Sequence, residues 1–328
     1  MDNVLNLLNA AVLAGAPLLF GTLGEILTEK SGNLNLGVEG MMFMGAVAGL
    51  AGVYYPELLF PGISSAVLIL LSIVCSFLCG AFGALIYGFL TITLRANQNV
   101  TGLTLTIFGI GFANFFGEIM GTAAGGYVAV SNATKVAFSG SFFPSFGESG
   151  TFLNTIYRLF FSYNFLVYCG LIVAVLLAWF FSRTRAGLNL RAVGESPATA
   201  DAAGINVSRY KYLSTVIGGG ICGIGGMYVV MVTCNGVWVH NCVSGKGWIA
   251  VALVIFATWS PARALLGSLL FGGLSIMRLY VHLGIPMQIY DIFPYIATVI
   301  VLIVTSIRQS REHSMPKHCG FNYFREER

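Results

Sequence analysis

The chain has 328 residues, of which 56% are hydrophobic and only 9% are charged. A soluble domain carries about 25% charged residues, so this composition excludes a water-facing surface and predicts a chain embedded in a lipid bilayer. The formal net charge of +4 does not indicate nucleic acid as a partner, because the basic residues lie in short segments that flank apolar runs. No basic segment precedes residues 4–20, so we expect no cleavable signal peptide.

Apolar runs of about 20 residues can cross a bilayer as helices. In chain order these runs cover residues 4–27, 35–55, 63–93, 98–121, 160–182, 212–233, 248–260, 263–282 and 290–307. The run 63–93 is too long for one straight crossing and could kink at Gly80 and Gly83. The run 248–260 is too short to cross alone, so it predicts half of a broken or re-entrant helix that ends at Pro261. We therefore predict an all-α, polytopic membrane protein with about eight to ten transmembrane helices, in one domain over 1–307.

The distribution of lysine and arginine predicts the orientation, because these residues accumulate in cytoplasmic loops. If 183–211 is cytoplasmic, alternation of the runs also places 28–34, 94–97, 261–263 and the tail 308–328 inside. These segments hold 13 of the 17 basic residues. The loop 183–211 and the C-terminal tail are therefore predicted to be cytoplasmic, with the N-terminus outside.

A first polar cluster, residues 29–40, enters the second run and reads EKSGNLNLGVEG. Polar groups in lipid cost free energy unless they are paired or face a cavity, so they mark candidate sites. Asn33, Asn35 and Glu39 lie among glycines, which indicates a helix that begins at membrane depth and offers free N–H groups to a ligand. The alternative is that Glu39 lies near the lipid headgroups and caps neighbouring backbone.

A second polar cluster lies in the run 98–121 and the turn before it. Its uncharged side chains donate and accept hydrogen bonds, which suits a sugar or a nucleobase; they are Asn97, Asn99, Thr101, Thr104 and Asn114. Positions 97, 101, 104 and 108 share one helical face, which adds the ring of Phe108 and favours a ring-bearing solute. The same side chains could instead join helices to one another.

The segment 183–211 is a polar island between two apolar runs, with five basic residues. Ser196 can cap a helix, Pro197 suits its first position, and Gly204 suits the left-handed residue after its end. A short helix with such clear start and stop signals predicts a docking element for a soluble partner.

Several functions lack their sequence signals. Residues 245–247 read GKG without the other residues of a phosphate-binding loop, and the 13 acidic residues are scattered. We therefore expect neither an enzyme that hydrolyses ATP nor a metal site. Cys234 and Cys242 flank a short outer loop and either form a disulfide in an oxidising compartment or stay reduced. Their spacing fits no standard metal-binding pattern.

Three segments together resemble the permeases of ABC importers, in the branch for simple sugars, branched-chain amino acids and nucleosides, and look closest to the nucleoside type. They are SGNLNLGVEGMMFMGAVAG (31–49), LRANQNVTGLTLTIFG (94–109) and RAVGESPATADAAGINVSRYK (191–211). The similarity runs from about residue 10 to 307. The segment 248–267 departs from the family pattern, because it lacks a glycine two residues before Trp259 and carries Arg263 in a region that is usually small and neutral.

This resemblance implies a permease subunit in a bacterial cytoplasmic membrane. It would pair with a second, related permease, an ABC ATPase inside and a substrate-binding protein outside. ATP and magnesium would bind to the ATPase, and this chain would bind no cofactor. The third segment is similar to the loop that couples to the ATPase, with these candidate residues: Arg191, Gly194, Glu195, Ser196, Pro197, Ala200, Ala203 and Gly204. The two polar clusters would line the substrate path.

Other interpretations stay open at this point. The cargo could be riboflavin or a simple sugar such as ribose. An ion-coupled transporter would need carboxylates deep in its spans, for which Glu39 and Glu118 are candidates. A membrane transferase would need clustered Asp or His at one rim, which the sequence lacks. The tail 308–328 matches no known pattern and is expected to be solvated and partly disordered, so truncation at Gln309 is expected to matter little.

Overall fold

The computed structural model describes residues 2–145, 152–280, 286–290, 292–307 and 315–324. Within these ranges the regular secondary structure is helical, apart from one isolated β-bridge that joins Ala129 to Val237. The helices are α1 (Asp2–Glu29), α2 (Val38–Leu59), α3 (Ser65–Gly88), α4 (Gln98–Ala123), α5 (Asn132–Ser139), α6 (Phe152–Phe160), α7 (Phe165–Arg183), α8 (Arg185–Glu195), α9 (Pro197–Ala202), α10 (Val207–Tyr228), α11 (Lys246–Phe256), α12 (Pro261–Tyr280), α13 (Met287–Tyr290) and α14 (Phe293–Ile307). The prediction of an all-α fold is confirmed.

Six helical stretches in the described part are long and apolar enough to cross a bilayer. They are Val4–Glu29, Val38–Leu59, Ser65–Thr93, Gln98–Ala123, Phe165–Arg183 and Val207–Thr233. The remaining three predicted runs correspond to α11, α12 and α14, although residues 281–282 and 291 of those runs lie outside the described residues. The chain is a multi-pass membrane protein.

Both long helices α3 and α10 end in a turn of π-helix, at Phe89–Thr93 and at Val229–Thr233. The helix α3 continues without a break from Ser65 to Gly88, so it includes Gly80 and Gly83. Both glycines are contact positions. An added Cβ at Gly80 would overlap the carbonyl oxygen of Gly219 in α10.

The centre of the bundle is held by backbone contacts between α2, α3 and α10. An added Cβ at Gly45 of α2 would overlap the backbone of Gly223 in α10, and one at Gly226 would overlap the carbonyl of Met42. In lipid, helices associate through such close packing because apolar side chains gain little by leaving a solvent as apolar as themselves. The glycine-rich sequence of α10 therefore serves helix packing.

One face of α4 packs on α2 through glycines, and its other face is exposed. Added Cβ atoms at Gly102 and Gly109 would meet the backbone of Leu36 and Gly40. On the opposite side, Ile107 and Phe115 are exposed. This helix is therefore attached to α2 along a glycine stripe.

The predicted broken span is confirmed at α11, which ends at Phe256 after 11 residues. The corner that follows contains two successive left-handed residues, Thr258 and Trp259, whereas Ala257 is right-handed. The family glycine is therefore unnecessary at position 257. The indole N–H of Trp259 donates to the carboxylate of Glu29, and the Arg263 guanidinium donates to the Thr258 hydroxyl. These two bonds hold the corner.

We predict that Gly45→Ala prevents the normal packing of α2 on α10, because a methyl group has no space beside Gly223. Overpacking of this kind costs about 1–3 kcal/mol or more. The matched control is Gly111→Ala, since nothing lies within 4 Å of a Cβ added there. In detergent, Gly45→Ala should lower the melting temperature and reduce the folded peak in size-exclusion chromatography. Gly111→Ala should change neither. Equal profiles for the two variants would contradict the packing argument.

Candidate functional site

The polar island folds into a helical corner formed by α8 and α9. The Ser196 hydroxyl accepts from the backbone N–H of Thr199, and Pro197 occupies the first turn of α9. Gly204 follows the helix with a φ of 82°. The predicted cap, first residue and left-handed stop are all confirmed, so the local sequence alone determines this corner.

The corner has a packed side and an open side. Val193, Ala200 and Val207 form a small buried cluster, and Pro197 is also buried. Gly194 lies against Lys30, because an added Cβ there would overlap the Lys30 carbonyl oxygen. The candidate coupling residues on the open side are Arg191, Glu195, Ala203 and Gly204, with Ser196 half-buried. The end of the bundle that carries this corner is called the α8–α9 end below.

The open side of the corner is basic. The arginines at 183, 185, 191 and 209 are exposed, whereas Lys211 is only 3% exposed. Burial, and then the nearby Arg191 guanidinium, lowers the pKa of the Lys30 ammonium. The corner therefore presents a cationic, well-ordered surface that suits a macromolecular partner.

The first polar cluster is buried, and its polar atoms have structural partners. The Asn33 side chain donates to the Thr215 hydroxyl at 3.0 Å. The Asn35 side-chain oxygen accepts from the backbone N–H of Gly37 at 2.9 Å. These bonds fix the loop that leads into α2, and a role of Asn33 and Asn35 in the substrate path stays a prediction.

Glu39 caps the half-helix α11. Its two carboxylate oxygens accept from the backbone N–H groups of Gly245, at 2.7 Å, and Gly247, at 2.5 Å. A carboxylate at a helix N-terminus satisfies donors that the helix itself leaves unpaired. Glu39 thus caps backbone, as one of the two sequence interpretations expects, and its role in the substrate path stays a prediction.

The second cluster follows the N-terminal half of α4. The Asn97 side chain caps this helix by accepting from the Val100 N–H at 3.1 Å, and Asn99 is exposed beside it. Thr101, Thr104 and Phe108 line one groove of about 210 Å³ between α3 and α4, together with Ile86, Tyr87, Leu90 and Leu105. The helical face expected from the sequence thus becomes a concave surface that combines hydroxyl groups with an aromatic ring.

Asn114 does not join this groove. It lies 17 residues after Asn97 on one helix, which corresponds to about 25 Å along the axis. Its side chain donates to the Asn241 side chain at 2.9 Å and accepts from the Asn241 backbone N–H at 3.2 Å. The candidate path residues therefore extend along the length of α4 and do not form a single binding site.

Gln98 was not a candidate residue, yet it connects three segments at the α8–α9 end. Its side-chain oxygen accepts from the Leu34 N–H at 2.7 Å, and its amide donates to the Phe321 carbonyl at 3.1 Å. Gln98 is only 2% exposed. The sequence signal was available, since a buried glutamine at the start of an apolar helix needs partners.

The C-terminal tail differs from expectation between residues 315 and 324, while 308–314 and 325–328 lie outside the described residues. Pro316 and Cys319 are buried, and the Tyr323 hydroxyl donates to the Asp201 carboxylate at 2.9 Å. The expectation of a solvated tail is wrong for this segment. Its alternation of apolar and polar residues provides side chains that can dock, which the high charge of the surrounding tail obscured.

Cys234 and Cys242 are free thiols. Burial is the main cause that raises the pKa of Cys242, to about 12. Among the residues that the structure describes, no group of three His, Cys, Asp or Glu side chains could hold a metal ion.

The described residues thus form a glycine-packed helical bundle with a capped, exposed corner and a polar helix face. The family described as branched-chain amino acid transport system / permease component matches residues 6–302. The chain therefore belongs to this permease family.

Three relatives indicate which type of permease within this family the chain is. The ABC transporter permease protein TsgC13 of Haloferax volcanii, provisionally assigned to glucose, is 34% identical over 99% of both chains. The guanosine ABC transporter permease protein NupQ of Bacillus subtilis is 31% identical over 89% of both chains. The nucleoside ABC transporter permease protein NupC of Lactococcus lactis is 29% identical over 98% of this chain and 99% of its own. The protein is an ABC transporter permease of the sugar and nucleoside type.

We predict that Glu39→Gln destabilises the fold, because an amide cannot accept from both Gly245 and Gly247. Loss of a hydrogen bond to a charged group costs about 1.5–3 kcal/mol. The control is Glu118→Gln, which changes an exposed glutamate of α4. The melting temperature in detergent should fall for Glu39→Gln alone. A variant that keeps the wild-type melting temperature but loses transport would instead indicate a role in the substrate path.

Proposed function

We propose that this permease translocates a nucleoside, using ATP hydrolysed with magnesium by a separate ABC ATPase. The observation that supports this cargo is the groove of α4, where Thr101 and Thr104 lie beside Phe108. An aromatic ring can stack on a nucleobase, while hydroxyl groups can bond its polar edge or the ribose. Relatives named for guanosine and nucleosides support the same cargo.

The lining of the groove is mostly apolar, and its two threonines are its side-chain hydroxyls apart from Tyr87. The hydroxyls of Thr101 and Thr104 each donate to a backbone carbonyl four residues earlier, at 2.8 Å. Their oxygen lone pairs then remain to accept from a ligand N–H or O–H. A groove of about 210 Å³ is smaller than the 300–1,000 Å³ typical of ligand pockets, so a second, related permease facing α4 would complete the path.

The second part of the proposal concerns ATPase coupling. The α8–α9 corner has a capped backbone and an exposed basic face. We assign Arg191, Glu195 and the exposed residues at 198, 199, 202 and 203 to the surface that contacts the ATPase. The buried Pro197 and Ala200 would hold α9 in place beneath that surface. Gly194 and Gly204 would set the shape of the corner through the backbone. Gly194 allows a close approach to Lys30, and Gly204 adopts the left-handed conformation that ends α9.

The orientation follows from this assignment. The ATPase is a soluble cytoplasmic partner, so the α8–α9 end and the C-terminal segment would face the cytoplasm of a bacterial cell. The enrichment of lysine and arginine in the same segments supports this orientation. A substrate-binding protein would deliver the cargo at the opposite end, near Asn114 and Asn241.

A simple sugar is the second candidate cargo, because the relative with 34% identity is assigned to glucose. Aromatic rings also pack on sugars, so the groove alone does not separate the two cargoes. Uptake competition separates them directly. None of the three relatives is named for riboflavin.

The test is uptake of labelled guanosine by cells that carry or lack the gene, with excess unlabelled adenosine, ribose, glucose or riboflavin. We expect gene-dependent uptake that only adenosine reduces. Competition by ribose or glucose alone would move the assignment to a sugar. Absence of gene-dependent guanosine uptake would refute the nucleoside proposal.

The same assay examines the groove. Phe108→Ala should lower guanosine uptake at least about five-fold, since base stacking on an aromatic side chain is worth about 1–3 kcal/mol. The matched control is Phe115→Ala, which removes an exposed ring of α4 outside the groove. Equal uptake by the two variants would exclude Phe108 from cargo recognition.

We further predict that Gly204→Val weakens coupling to the ATPase. A valine in the left-handed region costs about 1–2 kcal/mol, and no neighbour lies within 4 Å of a Cβ added there, so only the backbone is strained. Gly204→Asn is the control, because asparagine tolerates this conformation. ATP hydrolysed per solute imported should rise for the valine variant only. Wild-type coupling in a normally assembled Gly204→Val complex would contradict the role of the corner.

A further inference from the structure

The segment 315–324, called the strap below, has a defined conformation of its own. Two turn bonds close it, from the Cys319 N–H to the Pro316 carbonyl at 3.0 Å and from the Phe321 N–H to the His318 carbonyl at 3.3 Å. Gly320 supplies a left-handed residue with a φ of 87°. Cys319 is only 2% exposed. The strap is therefore a folded element that packs on the bundle.

On one side the strap binds the α8–α9 corner. The His318 backbone N–H donates to the Gly194 carbonyl at 3.0 Å. The Tyr323 hydroxyl donates to the Asp201 carboxylate at 2.9 Å, and its ring packs on the cluster that contains Val193 and Ala200. These contacts reach both helices of the corner.

On the other side the strap binds the turn that begins α4. The Asn322 amide donates to the carbonyls of Arg95, at 2.6 Å, and Ala96, at 3.2 Å. The Arg95 guanidinium lies 4.7 Å from the centre of the Phe324 ring. Arg95 is left-handed, with a φ of 56°, a conformation that needs support from its surroundings. The strap provides such support at the Arg95 carbonyl and at its side chain.

The underside of the strap covers polar groups of the bundle. Lys211 and Gln98 lie beneath it and are 3% and 2% exposed. Burial, followed by the nearby Lys211 charge, lowers the pKa of His318, so its imidazole is neutral at neutral pH. The strap therefore fits this surface in shape and without adding a second positive charge beside Lys211.

We propose that the strap is a mechanical tie that carries movement of the α8–α9 corner to the N-terminal turn of α4. The inference rests on the proposed role of the corner in ATPase docking. The corner and the α4 turn lie about a hundred residues apart in the chain, and the strap hydrogen-bonds to both. The Asn97 cap and the groove of Thr101, Thr104 and Phe108 follow that turn directly. Displacement of the corner would thus move the entrance of the groove.

The first test breaks the tie at each side in the assembled transporter. Asn322→Ala removes the hold on Arg95 and Ala96, and Tyr323→Phe removes only the hydroxyl that bonds Asp201. Tyr323→Phe should lower transport about five-fold, the effect of one hydrogen bond of about 1 kcal/mol, while ATP hydrolysis continues. Asn322→Ala should lower transport by at least as much, because it removes the bonds to both Arg95 and Ala96. Lys317→Ala is the matched control, because Lys317 is exposed on the same segment. Unchanged transport per ATP in both variants, or increased transport, would overturn the tie.

The second test follows the strap itself through maleimide labelling of Cys319, read by mass spectrometry. Burial raises the pKa of this thiol, so labelling of the docked strap should be slow. The double variant Asn322→Ala with Tyr323→Phe should label at least about ten-fold faster, as a thiol freed from burial does. Equal rates in the wild type and the double variant would show that these bonds do not hold the strap.

Addition of ATP and vanadate to the wild-type complex distinguishes a strap that stays docked during turnover from a strap that releases. A tie stays docked while the corner moves, so Cys319 should stay protected. Exposure of Cys319 during turnover would overturn the proposal in favour of a strap that releases. Neither labelling nor ATP hydrolysis needs the cargo. A failure of guanosine uptake would therefore refute the substrate assignment alone, and the labelling of Cys319 would still test the strap.

Discussion

The fold depends on the direct approach of helix backbones at glycine. Gly45 on Gly223, Gly80 on Gly219 and Gly226 on Met42 bring α2, α3 and α10 closer than any side chain would permit. Because lipid offers no hydrophobic force between helices, this proximity and the dispersion contacts it allows supply the cohesion. The loops at both ends then have fixed anchor points, and the polar groups of the chain find partners across short distances.

The sequence predicts the parts of the structure that local chemistry determines. The α8–α9 corner follows from Ser196, Pro197 and Gly204, because capping and left-handed stops act within a few residues. The broken span at α11 follows from its length and from Pro261. The π-helical turn after α3 could not be predicted, since it depends on how the helix end meets the turn at Arg95 rather than on the composition of Phe89–Thr93.

Long-range pairing explains what the sequence could not predict. Glu39 looks the same in the sequence whether or not it caps a helix, and its partner Gly245 lies some two hundred residues later. The strap likewise bonds Arg95 and Gly194, neither of which is near it in the chain. Periodicity and composition describe each segment alone, so they contain no information about such partners.

The two faces of α4 have separate roles, since one packs on α2 and the other lines the groove. This separation affects how cargo preference can change. The glycine face, at Gly102 and Gly109, is fixed by its approach to α2, so substitution there disturbs the bundle. The groove face, with Thr104 and Phe108, faces the C-terminal end of α3 across the groove. Both side chains are exposed, so their substitution carries a smaller structural penalty. Evolution could therefore exchange one solute for another through a few substitutions on this face, while the helix bundle and the α8–α9 corner stay unchanged.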